Sequence, residues 1–422
     1  MVSIDDRAAE KMRTDLTTLL TSDVAMPGAI ITPTVPFSVN ERELRLDMFR
    51  GLALWLIFID HVSPDVLTWF TIRSYGFCDA AEIFIFVSGY TAAIVYGRAM
   101  INFGFVVGAA RILKRVWQIY AAHLLLFVIY LGEITFLSGW AKNQFYIKEM
   151  GLTYFFEQPA ATIAEALVLR YCPLNMDVLP LYIVLMVFLP FILWMMKRRP
   201  DLTLALSFLL YFLTWKYDLY LAAYPKGFWA FNPFAWQLLF VSGVWCALGG
   251  AKRISGILSS SITLGIAAFY LMAAFSLTLT WYFPQLEHAL PLWLEHWIYP
   301  IDKTDLDILR YLHFLALAVI AVRFVPKGWA GLKSPWLRPA VLCGQFSLQI
   351  YCLGVFLAFA GYFVLTEAFG RLGLHILVGM IGILIMCAVA TLFSWFKRSA
   401  DKNAKIAPAA TSSARASPTL NF

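Results

Sequence analysis

"MFRGLALWLIFIDH", residues 48–61, has the apolar character of a chain that enters a bilayer, yet it carries Arg50 at one end and Asp60-His61 at the other. On a helix, Arg50 and His61 are eleven steps apart. At 100° per step they come back to within about 20° of one face, roughly 16 Å apart along the axis. Asp47 falls about 40° from that face, and Asp65 lies one turn beyond His61. An ionisable side chain within a span costs about 2.5 to 3.5 kcal/mol and turns towards the protein interior or a water-filled cavity. The pattern therefore draws a polar line from one membrane surface deep into the first span.

The rest of the chain has a composition to match. Its 422 residues are 61% hydrophobic and 14% charged, with a mean hydropathy of +0.72, which excludes a soluble domain. The net charge of +7 follows from lysine and arginine gathering in cytoplasmic loops, and no nucleic-acid partner is needed to explain it. A span needs about 20 mainly apolar residues. Scanning on that basis predicts an all-α polytopic bundle of about ten spans, near 47–69, 77–99, 112–138, 178–196, 202–220, 234–250, 258–282, 306–325, 339–366 and 374–396. An even number puts both ends on one side. That side holds about 24 of the 33 Lys and Arg, so both termini are expected in the cytoplasm and the loops 139–177 and 283–305 outside. The chain divides into a polar arm (1–45) without a cleavable signal, a membrane domain (46–396), and a tail (397–422) whose Ala, Ser and Lys content reads as disordered. The bilayer is one partner. The oligomeric state is not legible.

His61 is the candidate base, since an imidazole takes and returns a proton near neutral pH. Asp60 can stabilise its charged form, but neighbours on a helix diverge by 100°. Asp60 can instead serve another helix, with Asp65 as the rival partner. Arg50 either holds an anion or snorkels to the interface. The cluster Arg111, Lys114 and Arg115 suits phosphate binding and equally fits an ordinary positive-inside cluster. Buried Glu82 either orients His61 or an arginine, or bonds backbone; it shares a face with Asp79 at i+3. Ser88-Gly89 reads as close helix packing. On the outer side Asp177 either caps the fourth helix or meets an acceptor. Trp236 and Trp297 belong to a set of aromatics that fits either an interfacial belt or sugar rings. His288 and His296 are eight residues apart, without zinc-pair spacing, so no metal is expected. The six cysteines show no C-x-x-C and read as small hydrophobes.

"RGLALWLIFIDH" (50–61) resembles the R-x10-H signature of the membrane acyltransferase-3 superfamily, and "AAEIFIFVSGY" (80–90) its second-helix motif. "ARILKRVWQIY" (110–120) is similar to the basic entry of its third helix. "NMDVLPLYIVLMVFLP" (175–190), "NPFAWQLLFVSGVW" (232–245), "DKTDLDILRYLHFLALA" (302–318) and "FSLQIYCLGVFLAF" (346–359) resemble the OpgC proteins. The resemblance runs from residue 41 to 396. It implies a bacterial inner-membrane enzyme that moves succinyl groups from cytoplasmic succinyl-CoA to osmoregulated periplasmic glucan, with the acyl-CoA as donor substrate and no permanently bound cofactor. The residue chemistry read above agrees with it: His61, Asp60 and Glu82 are the catalytic candidates, Arg50, Arg111, Lys114 and Arg115 the candidates to hold the donor, and Asp177, Trp236 and Trp297 the candidates to meet the acceptor. The alternatives are acylation of another envelope glycan, for instance acetylation, or transport, against which no internal repeat is visible.

Overall fold

The computed structural model describes residues 43–62, 66–283, 285–286, 298–369 and 371–413, with side chains as far as residue 400. Among them the chain is helical, without a named strand. Among the described residues six helices are long and apolar enough to cross a membrane: Ala80–Ala141, Val178–Arg198, Pro233–Arg253, Ser261–Tyr282, Ser347–Glu367 and Leu372–Ala400. Helix α1 (Leu44–Val62) carries Arg45, Asp47, Arg50 and Asp60, and so falls short of that apolarity. It ends at Val62, before the residue 69 expected of the first span. Pro64, just beyond in sequence, disfavours further helix. Two short 3-10 turns follow, Leu67–Phe70 and Ile72–Tyr75.

Helix α2 (Ala80–Ala141) is 62 residues long and unbroken would run roughly 93 Å, about three times the bilayer's hydrocarbon thickness. Gly104, at φ 80° and ψ 169°, divides it, a conformation open to a residue without Cβ. The second and third expected spans are its two arms. Asp79 caps it, its Oδ1 accepting from Ala81 N–H at 2.8 Å, while Glu82 Oε2 accepts from the Asp79 N–H at 3.0 Å. This reciprocal pair satisfies two of the helix's orphan donors.

Helices α3 (Val178–Arg198), α4 (Pro200–Tyr217), α5 (Pro233–Trp245, continued through a π-helical turn at Cys246–Gly250), α6 (Ser261–Tyr282) and α7 (Ile308–Phe324) follow. The ninth expected span is broken into α8 (Arg338–Gln345) and α9 (Ser347–Glu367). Helix α10 (Leu372–Ser413) runs past residue 396, so 397–413 is helical where composition suggests a disordered tail. Its alanines and lysines are good helix formers, and they continue the apolar helix before them.

Small residues set the closest approaches. A methyl group on Gly51 would overlap the carbonyl oxygen of Ala340, and one on Gly344 that of Asp47, so α1 and α8 cross backbone to backbone. Gly89 and Gly243 do the same for α2 and α5, against the carbonyls of Phe240 and Phe86. Without a hydrophobic drive between helices in lipid, such contact is what holds them together.

Candidate functional site

Helices α1 and α9, the first turn of α2, the start of α3 and the segment before α7 enclose a cavity of about 310 Å³. Its walls change character along α1. Along α1 the lining passes from apolar Leu54, Ile57 and Phe58 to Asp60 and His61; Ile350, Val355 and Ala358 add apolar wall, and Arg73, Asp79, Asp177 and Lys303 add charged wall. The lining from α1 stops at Leu54, one turn from Arg50.

His61 Nδ1 lies 2.6 Å from the carbonyl oxygen of Ile57. A carbonyl can only accept, so Nδ1 carries the proton and Nε2 keeps the lone pair. Asp60 does not orient the ring. Its Oδ1 has no hydrogen-bond partner among the described residues, and the Thr71 hydroxyl donates to the carbonyl of Thr68 at 2.9 Å. Both residues nevertheless line the cavity, since it wraps around the end of α1. Asp65 lies outside the described residues.

Glu82 meets an arginine, not His61. Arg310 Nη2 lies 2.5 Å from Glu82 Oε1, off the hydrogen-bond direction, and 3.4 Å from Asp79 Oδ2. Lys303 Nζ approaches the same Asp79 oxygen at 2.6 Å. Two acids and two bases thus neutralise one another at the head of α2, with Asp79 and Lys303 reaching the cavity wall and Glu82 fully buried behind them.

Asp177 begins α3 but makes no side-chain cap, so capping does not account for it. It faces the cavity, and burial raises its carboxyl from the ordinary range to about 6. Trp236 is fully buried and offers no open face to a sugar. Its indole N–H donates to the carbonyls of Lys303 and Thr304, at 3.0 and 3.1 Å. Tyr211 and Tyr220 add bonds to Leu306 O and Asp305 Oδ2, and Asn232 Nδ2 donates to Asp305 Oδ1 at 2.7 Å. Trp236 is therefore one of several residues that fix the loop presenting Lys303. Trp297, with His288 and His296, lies outside the described residues.

The expected donor residues stand apart from the cavity. Arg50 Nη2 donates to the carbonyl of Val87 at 3.3 Å and to the Thr91 hydroxyl, fastening α1 to α2. Arg111 and Lys114 are exposed just beyond the Gly104 break. The Arg111 guanidinium lies over the Phe103 ring at 4.3 Å, and Arg115 bonds Gln118. Among the described residues no group of three or more His, Cys, Asp or Glu is arranged to hold a metal ion.

Sequence reasoning passed over Arg73, Lys303 and Arg310. Arg310 could have been found by the rule that singled out His61, because it too is ionisable within an apolar stretch. Nothing local distinguishes Arg73, in "TIRSYGF", from any loop arginine.

The family model described as OpgC protein matches residues 42–398, which takes in every helix lining the cavity. The chain belongs to the OpgC family. A comparison with curated proteins and with solved structures gives no match. OpgC membership and the apolar helices together make this a membrane protein and point to an acyltransferase connected with osmoregulated periplasmic glucan.

Proposed function

We propose that the protein is a membrane-embedded O-acyltransferase that moves a succinyl group from cytoplasmic succinyl-CoA to hydroxyls of osmoregulated periplasmic glucan. In this reading it crosses the bacterial inner membrane ten times, with both termini in the cytoplasm, and residues 46–396 form the transferase domain. One observation carries it: His61, its Nδ1 held by the Ile57 carbonyl, lines a cavity whose wall also includes apolar Leu54 and Ile57 and polar Asp177, Lys303 and Arg73.

The donor's nucleotide stays with Arg111, Lys114 and Arg115, whose guanidinium and ammonium groups suit phosphates. Its flexible arm brings the thioester along Leu54 and Ile57 to His61. The sugar enters the cavity, where Asp177 accepts hydrogen bonds from its hydroxyls. His61 Nε2 takes the proton of the reacting hydroxyl while that oxygen attacks the thioester carbon. The new C–O bond forms, the C–S bond breaks, and the thiolate takes the proton back from Nε2. The Ile57 carbonyl keeps His61 in the tautomer this needs.

The test uses purified protein in sealed vesicles of known orientation, without a membrane gradient. Succinyl-CoA should act from the face bearing the basic cluster alone, and glucan from the opposite face alone. His61→Ala should abolish transfer while the variant still inserts. Turnover by that variant, or transfer with both substrates on one side of intact vesicles, would refute the mechanism.

A further inference from the structure

The charged groups on the cavity wall are not equally engaged. Lys303 is bound to Asp79, and Arg310 behind it serves both Asp79 and Glu82. Arg73 lines the same cavity, is exposed, and has no acidic side chain within ion-pair distance among the described residues; Asp60 and His61 feel its charge from farther off.

The backbone that carries Arg73 is held firmly. Thr71 and Ser74 on either side of it are buried, at 2% and 1% exposure. Thr71 Oγ1 donates to the carbonyl of Thr68 at 2.9 Å, Ser74 Oγ accepts from the Tyr282 hydroxyl at 3.0 Å, and Gly76 sits so close to the His313 ring that a Cβ there would overlap it. An exposed guanidinium on a fixed turn thus lines the cavity that holds the candidate base. A guanidinium presents a planar fork of donors that matches a carboxylate through two parallel bonds.

We propose that Arg73 binds the free carboxylate at the far end of a dicarboxylic acyl group and is the residue that selects such donors over neutral acyl groups of equal length. This rests on the acyltransferase reading. The thioester carbon lies at His61, and the acyl chain turns away from the donor's arm towards the polar part of the cavity wall, where its second carboxyl meets Arg73, the lysine or arginine of that wall that, among the described residues, Asp79 does not occupy.

The experiment compares succinyl-CoA with butyryl-CoA, which has the same four carbons and no charge, on the full-length purified protein with glucan. The ratio of their kcat/KM values should favour succinyl in the wild type and fall roughly 10- to 100-fold in R73Q, the size expected when a bond to a charged group is lost. R73K should fall less, because an ammonium keeps the charge and loses the fork. R73E should gain transfer from 4-aminobutyryl-CoA, whose terminal charge is reversed. An unchanged ratio in R73Q, with the wild type active, would overturn the proposal and leave the acyltransferase reading standing. Should R73Q be inactive with both donors, an unchanged ratio in R73K would overturn it in the same way. A shift in the choice between neutral glucan and one bearing an anionic substituent, with the donor ratio intact, would place Arg73 at the acceptor and also refute it. No transfer by the wild type from any donor would remove both readings.

Discussion

Replacing Arg310 with methionine should damage this protein more than replacing its nearest partner. The Arg310 side chain is about one-tenth exposed, Glu82 is fully buried, and their charged atoms are 2.5 Å apart. At an effective dielectric near 20, such a pair attracts by about 6 to 7 kcal/mol, most of which desolvation of the two ions offsets. The intact pair is therefore close to neutral, whereas a survivor left unpaired is not. Arg310→Met leaves Glu82 with the Asp79 N–H as its remaining contact and should cost about 3 to 5 kcal/mol. Glu82→Gln leaves Arg310 still beside Asp79, itself also bound by Lys303, and should cost less, about 1 to 2 kcal/mol. The double variant should then be more stable than Arg310→Met alone, since the orphaned carboxylate is gone. Reversible unfolding in mixed micelles, followed by tryptophan fluorescence, measures all three. If the two losses simply added, the residues would not act as a buried pair and this account of the α2 head would be wrong.

Because burial raises Asp177 to about 6, the protonated folded form is favoured below its unfolded value near 4, and that contribution to stability is lost as pH rises through about 6. If the ionised form accepts sugar hydroxyls, the glucan KM should rise as pH falls through about 6, and Asp177→Asn should flatten that limb; an unaltered KM profile in the variant would remove Asp177 from acceptor binding. At the α1–α8 crossing, Gly344→Leu should force the helices apart and lose several kcal/mol, about the range of severe overpacking, whereas Gly373→Leu, with open space around its Cβ position, should be nearly silent. Equal thermal stability of those two variants would contradict the close crossing.

The line of ionisable residues on α1 is legible in the sequence because helix geometry fixes the angle between positions from their spacing alone. The same is true of the all-helical class, since a bilayer leaves a spanning chain few other ways to satisfy its backbone. His61 is visible as a single candidate by the cost of burying it, and Asp177 only by its place ahead of an apolar run. What they face is another matter. Arg50 turns to Thr91 and Val87, Glu82 to Arg310, and Trp236 to the Lys303 carbonyl, and each of these partners is far away in the chain. A side chain's periodicity tells which way it points from its own helix, but its partner depends on which helix is packed there and at what height. That is decided by crossings such as Gly51 on Ala340, and by loops such as 302–306 that several helices hold in place. Sequence alone therefore determined the all-helical class and singled out residues such as His61 and Glu82 that could not sit in lipid unsupported, while only the tertiary packing decided which became structural ion pairs and brought Arg73, which the sequence did not mark, to the cavity wall.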